Sequence, residues 1–334
     1  MYFLIGLSLL FAFLFSVNVI ASIATTGIWH LLAKTASGWD VRTRVNFIFL
    51  LRVTPLAAAV LFIFAFILPS FVLFEPSAAT GEAVGIKLTL IALVAAFGIA
   101  AALGRIFASW WRTRRLIGEW MRLSEPIAIE GVHVPAFRLR HPFPVIAVVG
   151  VIRPKMFVAE QILSELDDAE LAAAIAHECG HLSTHDNFKR IAMRICGDLL
   201  VFPLGKTLDS VWSETAESAA DEYAADRGGR RSALNLASAL IKVGRITPSE
   251  KAWVMPTGAF LLDAENASLA LRVDRLLQIA DFSESTDHTI NRLSTSAMWL
   301  IPVLASLILL LLALNGGLLS TIHLFSEALL AALQ

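Results

Sequence analysis

The chain opens with a long apolar stretch, Tyr2 to Ala24, that contains no charged side chain. A helix that crosses the hydrocarbon core of a bilayer needs about 20 mostly apolar residues. Three further stretches reach or approach this length, and they are 53–74, 88–104 and 297–319. No Lys or Arg precedes the first apolar run, which argues against a secretory signal peptide. The sequence therefore predicts four transmembrane helices, with a buried core helix as the alternative for the third stretch.

The overall composition supports a membrane protein. Hydrophobic residues make up 57% of the chain and charged residues only 16%, whereas soluble domains carry about 25% charged residues. The net charge is -1, and no long basic block occurs, which argues against nucleic acid as a partner. The lipid bilayer is the expected surrounding, and the composition leaves the oligomeric state open.

The positions of Lys and Arg predict the orientation in the membrane, because short cytoplasmic loops are rich in these residues. The segment between the first two stretches carries Lys34, Arg42, Arg44 and Arg52, and five arginines follow the third stretch: Arg105, Arg112, Arg114, Arg115 and Arg122. The loop between the second and third stretches holds Glu75 and Glu82. We therefore expect a multi-pass protein of the cell membrane with both termini outside and with Arg52 as an interfacial anchor. The block after the third stretch is then cytoplasmic, and Cys179 and Cys196 within it are expected to be free thiols.

Three regions follow from this arrangement. Residues 1–120 form a three-span membrane region, 121–295 a cytoplasmic domain, and 296–334 the fourth span with a short C-terminal tail. Within the cytoplasmic domain, short strands are expected at 145–151 and 155–158. Helices are expected at 169–182 with Ser164 as the N-cap, at 188–200, from 209 to a stop at Gly228-Gly229, and at 232–243. The predicted fold class is an α+β membrane protein, with a small sheet followed by helices.

The string His177-Glu178-Cys179-Gly180-His181 contains the candidate metal-binding and catalytic residues. Residues four apart lie on one face of a helix, so both imidazoles can bind one Zn²⁺. Glu178 lies beside that face, where it can take a proton from water that the metal activates. The preceding alanine-rich run, 169–176, supplies the helical setting. We expect one zinc ion per chain.

A catalytic zinc needs a third protein ligand. His185 is excluded, because eight helical residues separate it from His177 by about 12 Å along the axis. The better source is the string from Glu217 to Asp226, which contains two overlapping pairs, Glu217/Asp221 and Glu222/Asp226. In each pair the glutamate can bind zinc while the aspartate accepts a histidine N–H. The two glutamates lie about 140° apart around a helix, so only one can face the metal.

These motifs together resemble the Bla/Mec-type sensor metallopeptidases, in which a cytoplasmic zincin-like protease domain lies between the third and fourth spans. They also resemble the heat-shock membrane proteases and CAAX prenyl endopeptidases, whose EYxAD-type string matches Glu222 to Asp226 literally. The ExxADE string of the sensor family matches Glu217 to Glu222. This resemblance implies that Glu217 is a metal ligand and that Asp221 accepts a hydrogen bond from a metal-binding histidine. Since only 321–334 follows the last stretch, a β-lactam sensor role is not expected.

The sequence therefore predicts an integral membrane zinc metalloendopeptidase that uses Glu178 as general base on water. Its substrate is a protein or peptide: a cytoplasmic repressor in regulated proteolysis, or membrane proteins in quality control. A non-catalytic receptor or scaffold with structural zinc is the alternative from another class. Arg272 is either a substrate-orienting group or a structural salt-bridge partner. A substrate strand is expected to add to the 145–158 region.

Overall fold

The structure is a computed structural model that describes residues 2–75, 85–198, 205–247, 266–282 and 295–333. Its residues group into two compact units. The first unit comprises Met1–Arg105, Ala192–Trp212 and Asn291–Gln334, and the second comprises Ile106–Ile191 and Ser213–Ile290. Three helices, α4 (Ile86–Arg122), α7 (Asp186–Asp198) and α8 (Lys206–Ile246), continue from one unit into the other.

The first unit is built from apolar helices. Helix α1 spans Tyr2–Ala36, and α2 (Val41–Phe62) continues through a π-helical turn (Ile63–Ile67) into α3 (Leu68–Phe74). Together with α4, these make three helices that are long and apolar enough to cross a membrane within the described part of the chain. The predictions of helical spans at 2–24, 53–74 and 88–104 agree with these helices.

The fourth predicted span, 297–319, is wrong as a single straight helix. The structure has two helices there, α10 (Thr295–Ala313) and α11 (Gly316–Leu333), with an angle of 87° between them. The chain bends at Asn315, whose side chain accepts a hydrogen bond from the backbone N–H of Leu318 at 3.2 Å. An asparagine in this position caps the N-terminus of a new helix. The bent pair counts as a fourth span only if both helices cross together.

Arg52 is not a simple interfacial anchor. Its side chain is only 5% exposed, and its Nε donates to Asp209 Oδ1 at 2.7 Å. The guanidinium occupies space beside Gly197 and Gly205, where a Cβ atom on either glycine would collide with it. Arg52 therefore ties α2 to the start of α8 by a specific ion pair, and the missing side chains of two glycines make room for it.

The second unit contains a four-stranded mixed sheet with the strand order β1-β2-β4-β3. Strand β1 (Ser124–Ile127) pairs antiparallel with β2 (Ala136–Leu139), β2 pairs parallel with β4 (Lys155–Ala159), and β4 pairs antiparallel with β3 (Ile146–Val149). Strands β3 and β4 confirm the strands that were predicted in 145–151 and 155–158. Both consist almost entirely of buried residues and form the centre of the core, with Trp120 packed edge-on against Phe157.

Helices α5 (Glu160–Glu165) and α6 (Asp168–Ser183) follow the sheet. Ser164 lies inside α5 and is not the N-cap of the next helix. Asp167 caps α6, since its side chain accepts from the backbone N–H of Glu170 while the Glu170 side chain accepts from the N–H of Asp167. This reciprocal arrangement satisfies two of the backbone donors at the helix start. It fixes the beginning of the helix that carries both histidines.

The remaining helices of this unit are α7 (Asp186–Asp198), α8 and α9 (Asn266–Phe282). The break that was predicted at Gly228-Gly229 is confirmed as a kink, because Gly229 has φ 60° and ψ -148° and a second helical segment, which contains the predicted helix 232–243, follows it. Ser232 donates across the kink to the carbonyl of Ala224 at 2.7 Å. The kink turns the second half of α8 so that Ser238 and Lys242 meet Glu170 of α6.

Glu170 should stabilise the second unit. It is 4% exposed and accepts from Ser238 Oγ at 2.6 Å and Lys242 Nζ at 2.7 Å. We expect Glu170→Gln to lower the free energy of unfolding by about 1–3 kcal/mol, because it leaves these donors poorly paired. The measurement is denaturant unfolding of the detergent-solubilised protein, with the exposed Glu160→Gln as control.

The effect of Glu170→Gln should depend on pH. Burial raises the pKa of Glu170, but hydrogen bonds from Lys242 and Ser238 outweigh it and hold the pKa below its ordinary 4.5. The stabilisation is therefore complete above the unfolded-state pKa and disappears as the pH falls through the lower folded-state value. A stability difference that persists unchanged at strongly acidic pH would contradict this account.

Candidate metal centre

Three side chains from two helices converge in the second unit. His177 and His181 lie one turn apart on α6, and Glu217 lies on α8. The two Nε2 atoms are 3.2 Å apart. Glu217 Oε2 is 3.5 Å from His177 Nε2, and Glu217 Oε1 is 3.5 Å from His181 Nε2. The structure thus brings together the two histidines and one of the two glutamates that the sequence offered.

The separations suit a single zinc ion. A zinc ion held tetrahedrally at about 2.0–2.2 Å places its ligand atoms about 3.3–3.6 Å apart. The 3.2 Å between the two Nε2 atoms and the 3.5 Å from each Nε2 to a different Glu217 oxygen are close to these values. Two imidazole nitrogens this close repel each other unless a proton or a cation lies between them. Two imidazoles and a carboxylate are also a known ligand set of catalytic zinc.

Gly180 allows the two helices to approach closely enough for this geometry. A Cβ atom at this position would lie 3.0 Å from Ala220 Cα and 3.3 Å from Tyr223 Cβ on α8. These distances are shorter than nine in ten Cβ contacts in proteins. The glycine between the two histidines is therefore what lets the Glu217 face of α8 reach α6.

Each histidine is oriented by its own carboxylate. His177 Nδ1 is 2.9 Å from Asp221 Oδ1, and His181 Nδ1 is 2.7 Å from Asp186 Oδ2. A proton on each Nδ1, donated to the carboxylate, leaves each Nε2 with a free lone pair for a metal. The sequence argument named Asp221 for this position but missed Asp186. The only signal for Asp186 was the Asp-Asn dipeptide shortly after the second histidine.

Two arginines hold the carboxylates in place. Arg272 donates from Nη2 to Asp221 Oδ1 at 2.7 Å and from Nε to Asp221 Oδ2 at 3.0 Å. Its Nη1 is also 3.3 Å from Glu217 Oε2, and Arg190 donates to Glu217 Oε1 at 3.2 Å. Of the two roles considered for Arg272, these contacts favour the salt-bridged one. The arginine fixes the ligand Glu217 and the orienting Asp221 relative to each other.

The pKa shifts reflect this dense network of charges. Burial disfavours charged His181, but the Glu217 and Asp186 carboxylates outweigh it and raise its pKa to about 10. Burial likewise opposes the protonation of His177, yet the hydrogen bonds to Asp221 and Glu217 raise its pKa. Burial favours the neutral form of Glu217, but the adjacent histidines and Arg272 hold its pKa well below 4.5. These pKa shifts indicate that the site favours a positively charged group, either a proton on a histidine or a cation, beside the Glu217 carboxylate.

Glu178 lies next to the cluster without belonging to the ligand triangle. It is 3% exposed, and its Oε1 is buried without a hydrogen-bond partner in the described ranges of the chain. Burial raises the pKa of Glu178 above 4.5, although the neighbouring histidines and a backbone hydrogen bond from Val148 oppose the shift. A small cavity borders Glu178 and His181. The Glu178 carboxylate therefore has one oxygen, Oε1, that is free to accept a hydrogen bond close to the three ligand side chains.

The alternative candidates lie elsewhere. Glu222 forms an ion pair with Arg275 at 2.6 Å and is absent from the histidine cluster. Asp226 and His185 are exposed, and His185 has a positive φ of 56° in the turn between α6 and α7. Cys179 and Cys196 are free cysteines. Of the two overlapping Glu/Asp pairs, Glu217/Asp221 is the one that the structure brings to the histidines.

The expected strand addition does not fit the observed sheet. Strand β3 lies at the edge of the sheet, but its four residues are at most 3% exposed. The Asn187 side chain donates to the carbonyls of Val148 and Gly150 at 2.9 and 3.2 Å, which are the groups that a substrate strand would use. This edge is therefore closed, and a substrate peptide must enter by another route or displace Asn187.

Metal content can separate the two glutamates. We expect Glu217→Gln to lose one equivalent of zinc per chain, because it removes a charged ligand from the triangle. Glu222→Gln should keep its full zinc content, since Glu222 pairs with Arg275 instead. Elemental analysis of purified wild-type protein and both variants is the measurement. Loss of zinc in Glu222→Gln with retention in Glu217→Gln would show that the other pair holds the metal.

Comparison with known proteins supports this interpretation of the site. Residues 147–219 match the sequence profile of Peptidase family M48, and this segment contains both histidines, Glu178 and Glu217. A search of curated proteins finds no match. Among solved structures, the crystal structure of S. mikatae Ste24p is similar at 13% identity, over 83% of this chain and 99% of that chain, with a TM-score of 0.29. This TM-score is too low to support a conclusion. The profile match confirms the predicted kinship with zinc metallopeptidases for the segment that carries the candidate metal centre.

Proposed function

We propose that this chain is an integral membrane zinc metalloendopeptidase. The observation that carries the proposal is the convergence of His177 Nε2, His181 Nε2 and the Glu217 carboxylate. The two nitrogens are 3.2 Å apart, and each lies 3.5 Å from a different one of the two Glu217 oxygens. The buried, half-unpaired Glu178 beside it distinguishes the site from a closed structural zinc site. The match of this segment to Peptidase family M48 and the three long apolar helices support the same assignment.

The residues of the site have separable tasks in peptide hydrolysis. His177, His181 and Glu217 would hold the zinc, while Asp221 and Asp186 keep both imidazoles turned towards it. When bound, zinc supplies Lewis-acid activation of water and of the scissile carbonyl. Glu178 takes the proton from the attacking water and passes it to the nitrogen of the leaving amine. Arg272 and Arg190 keep the carboxylate of Glu217 in place through the cycle.

The substrate is a protein or peptide that reaches the cytoplasmic face of the membrane. A single cytoplasmic repressor would make the enzyme a component of regulated proteolysis, which is the role we favour. Broad cleavage of unfolded membrane proteins would make it a quality-control protease. Purified enzyme in proteoliposomes, offered a panel of folded and unfolded proteins, distinguishes the two by the number of substrates cut.

Glu178→Gln tests the chemistry directly. The amide cannot accept the proton, so we expect peptide hydrolysis to fall by about 10²–10⁴-fold. Zinc content should stay at the wild-type level, because Glu178 is not a ligand. The readout is cleavage of a casein-type reporter in detergent, with elemental analysis in parallel.

The exposed Asp226→Asn is the matched control, and it should keep both activity and zinc. Full activity in Glu178→Gln would overturn the proposed role of this residue. If wild-type protein holds zinc but chelators change no cleavage of any peptide, the receptor or scaffold alternative replaces the enzyme.

The orientation in the membrane gives a further test. The excess of Lys and Arg around the second unit predicts that this unit is cytoplasmic and that the N-terminus lies outside. If α10 and α11 cross the membrane together, the C-terminus is also outside. We therefore expect a cysteine appended at either end to react with a membrane-impermeant maleimide in intact cells, in a background where Cys179 and Cys196 are replaced by Ala. Labelling of the N-terminal cysteine alone would mean that the bent pair returns to the cytoplasmic side.

A further inference from the structure

The side chain of Asn187 covers part of the sheet edge beside the candidate metal centre. Asn187 is the second residue of α7, and its Nδ2 donates to the carbonyl oxygens of Val148 and Gly150 at 2.9 and 3.2 Å. Asn187 and Val148 also line the small cavity that Glu178 and His181 border. These hydrogen bonds therefore occupy the part of β3 that adjoins the proposed general base. The hydrolytic mechanism proposed above makes no use of Asn187.

The pairing of β3 shows which of its backbone groups point away from the rest of the sheet. The N–H of Ala159 on β4 donates to the carbonyl of Val145 at 2.8 Å, which makes these two residues a hydrogen-bonded pair. In an antiparallel ladder every second residue of a strand bonds to its partner, and the residues between direct both backbone groups to the other side. Counted from Val145 along the observed register, Val148 is one of these intermediate residues. Its N–H and C=O are therefore the groups with which an added strand would pair.

Side chains of the site occupy both of these backbone groups. The carboxamide N–H of Asn187 has the same donor chemistry as a peptide N–H, and it bonds to the Val148 carbonyl as the backbone of an added strand would. The Glu178 carboxylate accepts a backbone hydrogen bond from Val148. A peptide that pairs with Val148 must therefore replace Asn187 on one side of this residue and Glu178 on the other.

The backbone of α7 around Asn187 is fixed, so the edge can open by rotation of one side chain. Asp186 Oδ2 lies 2.7 Å from His181 Nδ1, and Arg190 donates to Glu217 Oε1 at 3.2 Å. These two neighbours on α7 are thus tied to two of the candidate metal ligands. Movement of the whole helix would disturb those ligands, whereas rotation of the half-buried Asn187 carboxamide would not.

We propose that Asn187 is a specificity-determining residue of the peptidase, because its side chain holds the place of the substrate backbone on β3 and yields only to an extended peptide segment. This inference rests on the function proposed above. An extended segment offers an N–H to the Val148 carbonyl and a carbonyl to the Val148 N–H, so it replaces the hydrogen bonds that it breaks. A helical segment has the same groups bonded within itself and cannot make this exchange. The substrate class is therefore unfolded or extended segments of proteins.

Asn187→Ala tests the proposal through the kinetics of an unstructured fluorogenic peptide of casein sequence. The substrate then no longer competes with two intramolecular hydrogen bonds, each of which contributes a factor of about 2–12. We expect KM to fall by about 5–100-fold and kcat to stay within about twofold of wild type, because substrate and transition state gain equally. Zinc content should not change.

Gln161→Ala is the matched control. Gln161 also donates from its carboxamide to a backbone carbonyl, that of Pro142 at 3.1 Å, but it lies on the exposed surface of α5. Its removal should leave both KM and kcat at the wild-type values. A fall in KM in this variant as large as that in Asn187→Ala would contradict a specific role of Asn187.

The outcomes separate this proposal from the peptidase assignment. An unchanged or higher KM in Asn187→Ala with zinc retained would overturn the role of Asn187 and leave the peptidase intact. Asn187→Ser, whose hydroxyl is too short to reach both carbonyls, should show the same fall in KM if the alanine variant folds poorly. Loss of zinc in both variants would mean that Asn187 only supports the metal centre. If neither wild type nor Asn187→Ala cleaves the peptide with zinc bound, the peptidase is contradicted, and this proposal with it.

Discussion

The arrangement of the second unit depends on the balance of buried charge around Glu217. Four carboxylates, from Glu178, Asp186, Glu217 and Asp221, lie in or beside the cluster, and they are partly balanced by Arg190, Arg272 and the buried Lys189 beside Asp186. Charges in a protein interior are tolerated when they are paired and hydrogen-bonded. With neutral imidazoles, a divalent cation would supply positive charge directly beside the Glu217 carboxylate.

The same requirement explains the unusual basicity of the histidines. Without a metal, protons on His177 and His181 supply positive charge beside these carboxylates, and the pKa values of both histidines are raised accordingly. Metal and protons thus compete for the same Nε2 atoms. The network of Asp221, Asp186 and Arg272 holds the ligands in position in either case.

The sequence predicted the histidines well because their relation is local. Helical spacing alone places His177 and His181 on one face, and the alanine-rich run before them leaves little doubt about the helix. The third ligand was harder to predict from the sequence, since the pairs Glu217/Asp221 and Glu222/Asp226 have the same spacing. The choice depends on which face of α8 meets α6, and that is set by the contact of Gly180 with Ala220. Asp186 was not predicted as the partner of His181, because it contacts His181 across a turn in which His185 has a positive φ.

The fold shows the same division between local and tertiary information. The apolar stretches predicted α1, the α2–α3 rod and α4, and the alternation of strands and turns predicted β3 and β4. The bend at Asn315 has a local cause, but Asn-Gly-Gly within a leucine-rich run gives a weaker signal than the surrounding hydrophobicity. Asp167 rather than Ser164 caps α6, because Glu170 returns the hydrogen bond and is itself held by Ser238 and Lys242 from the far end of α8. The contact of Glu170 with Ser238 and Lys242 joins distant parts of the chain, so no local sequence pattern predicts it.

Ionisable side chains in the apolar unit obey the rule that governs the metal centre. Arg52 is buried among α2 and the start of α8, and Asp209 compensates it directly at 2.7 Å. That pair is complete, because one positive charge meets one negative charge with good hydrogen-bond geometry.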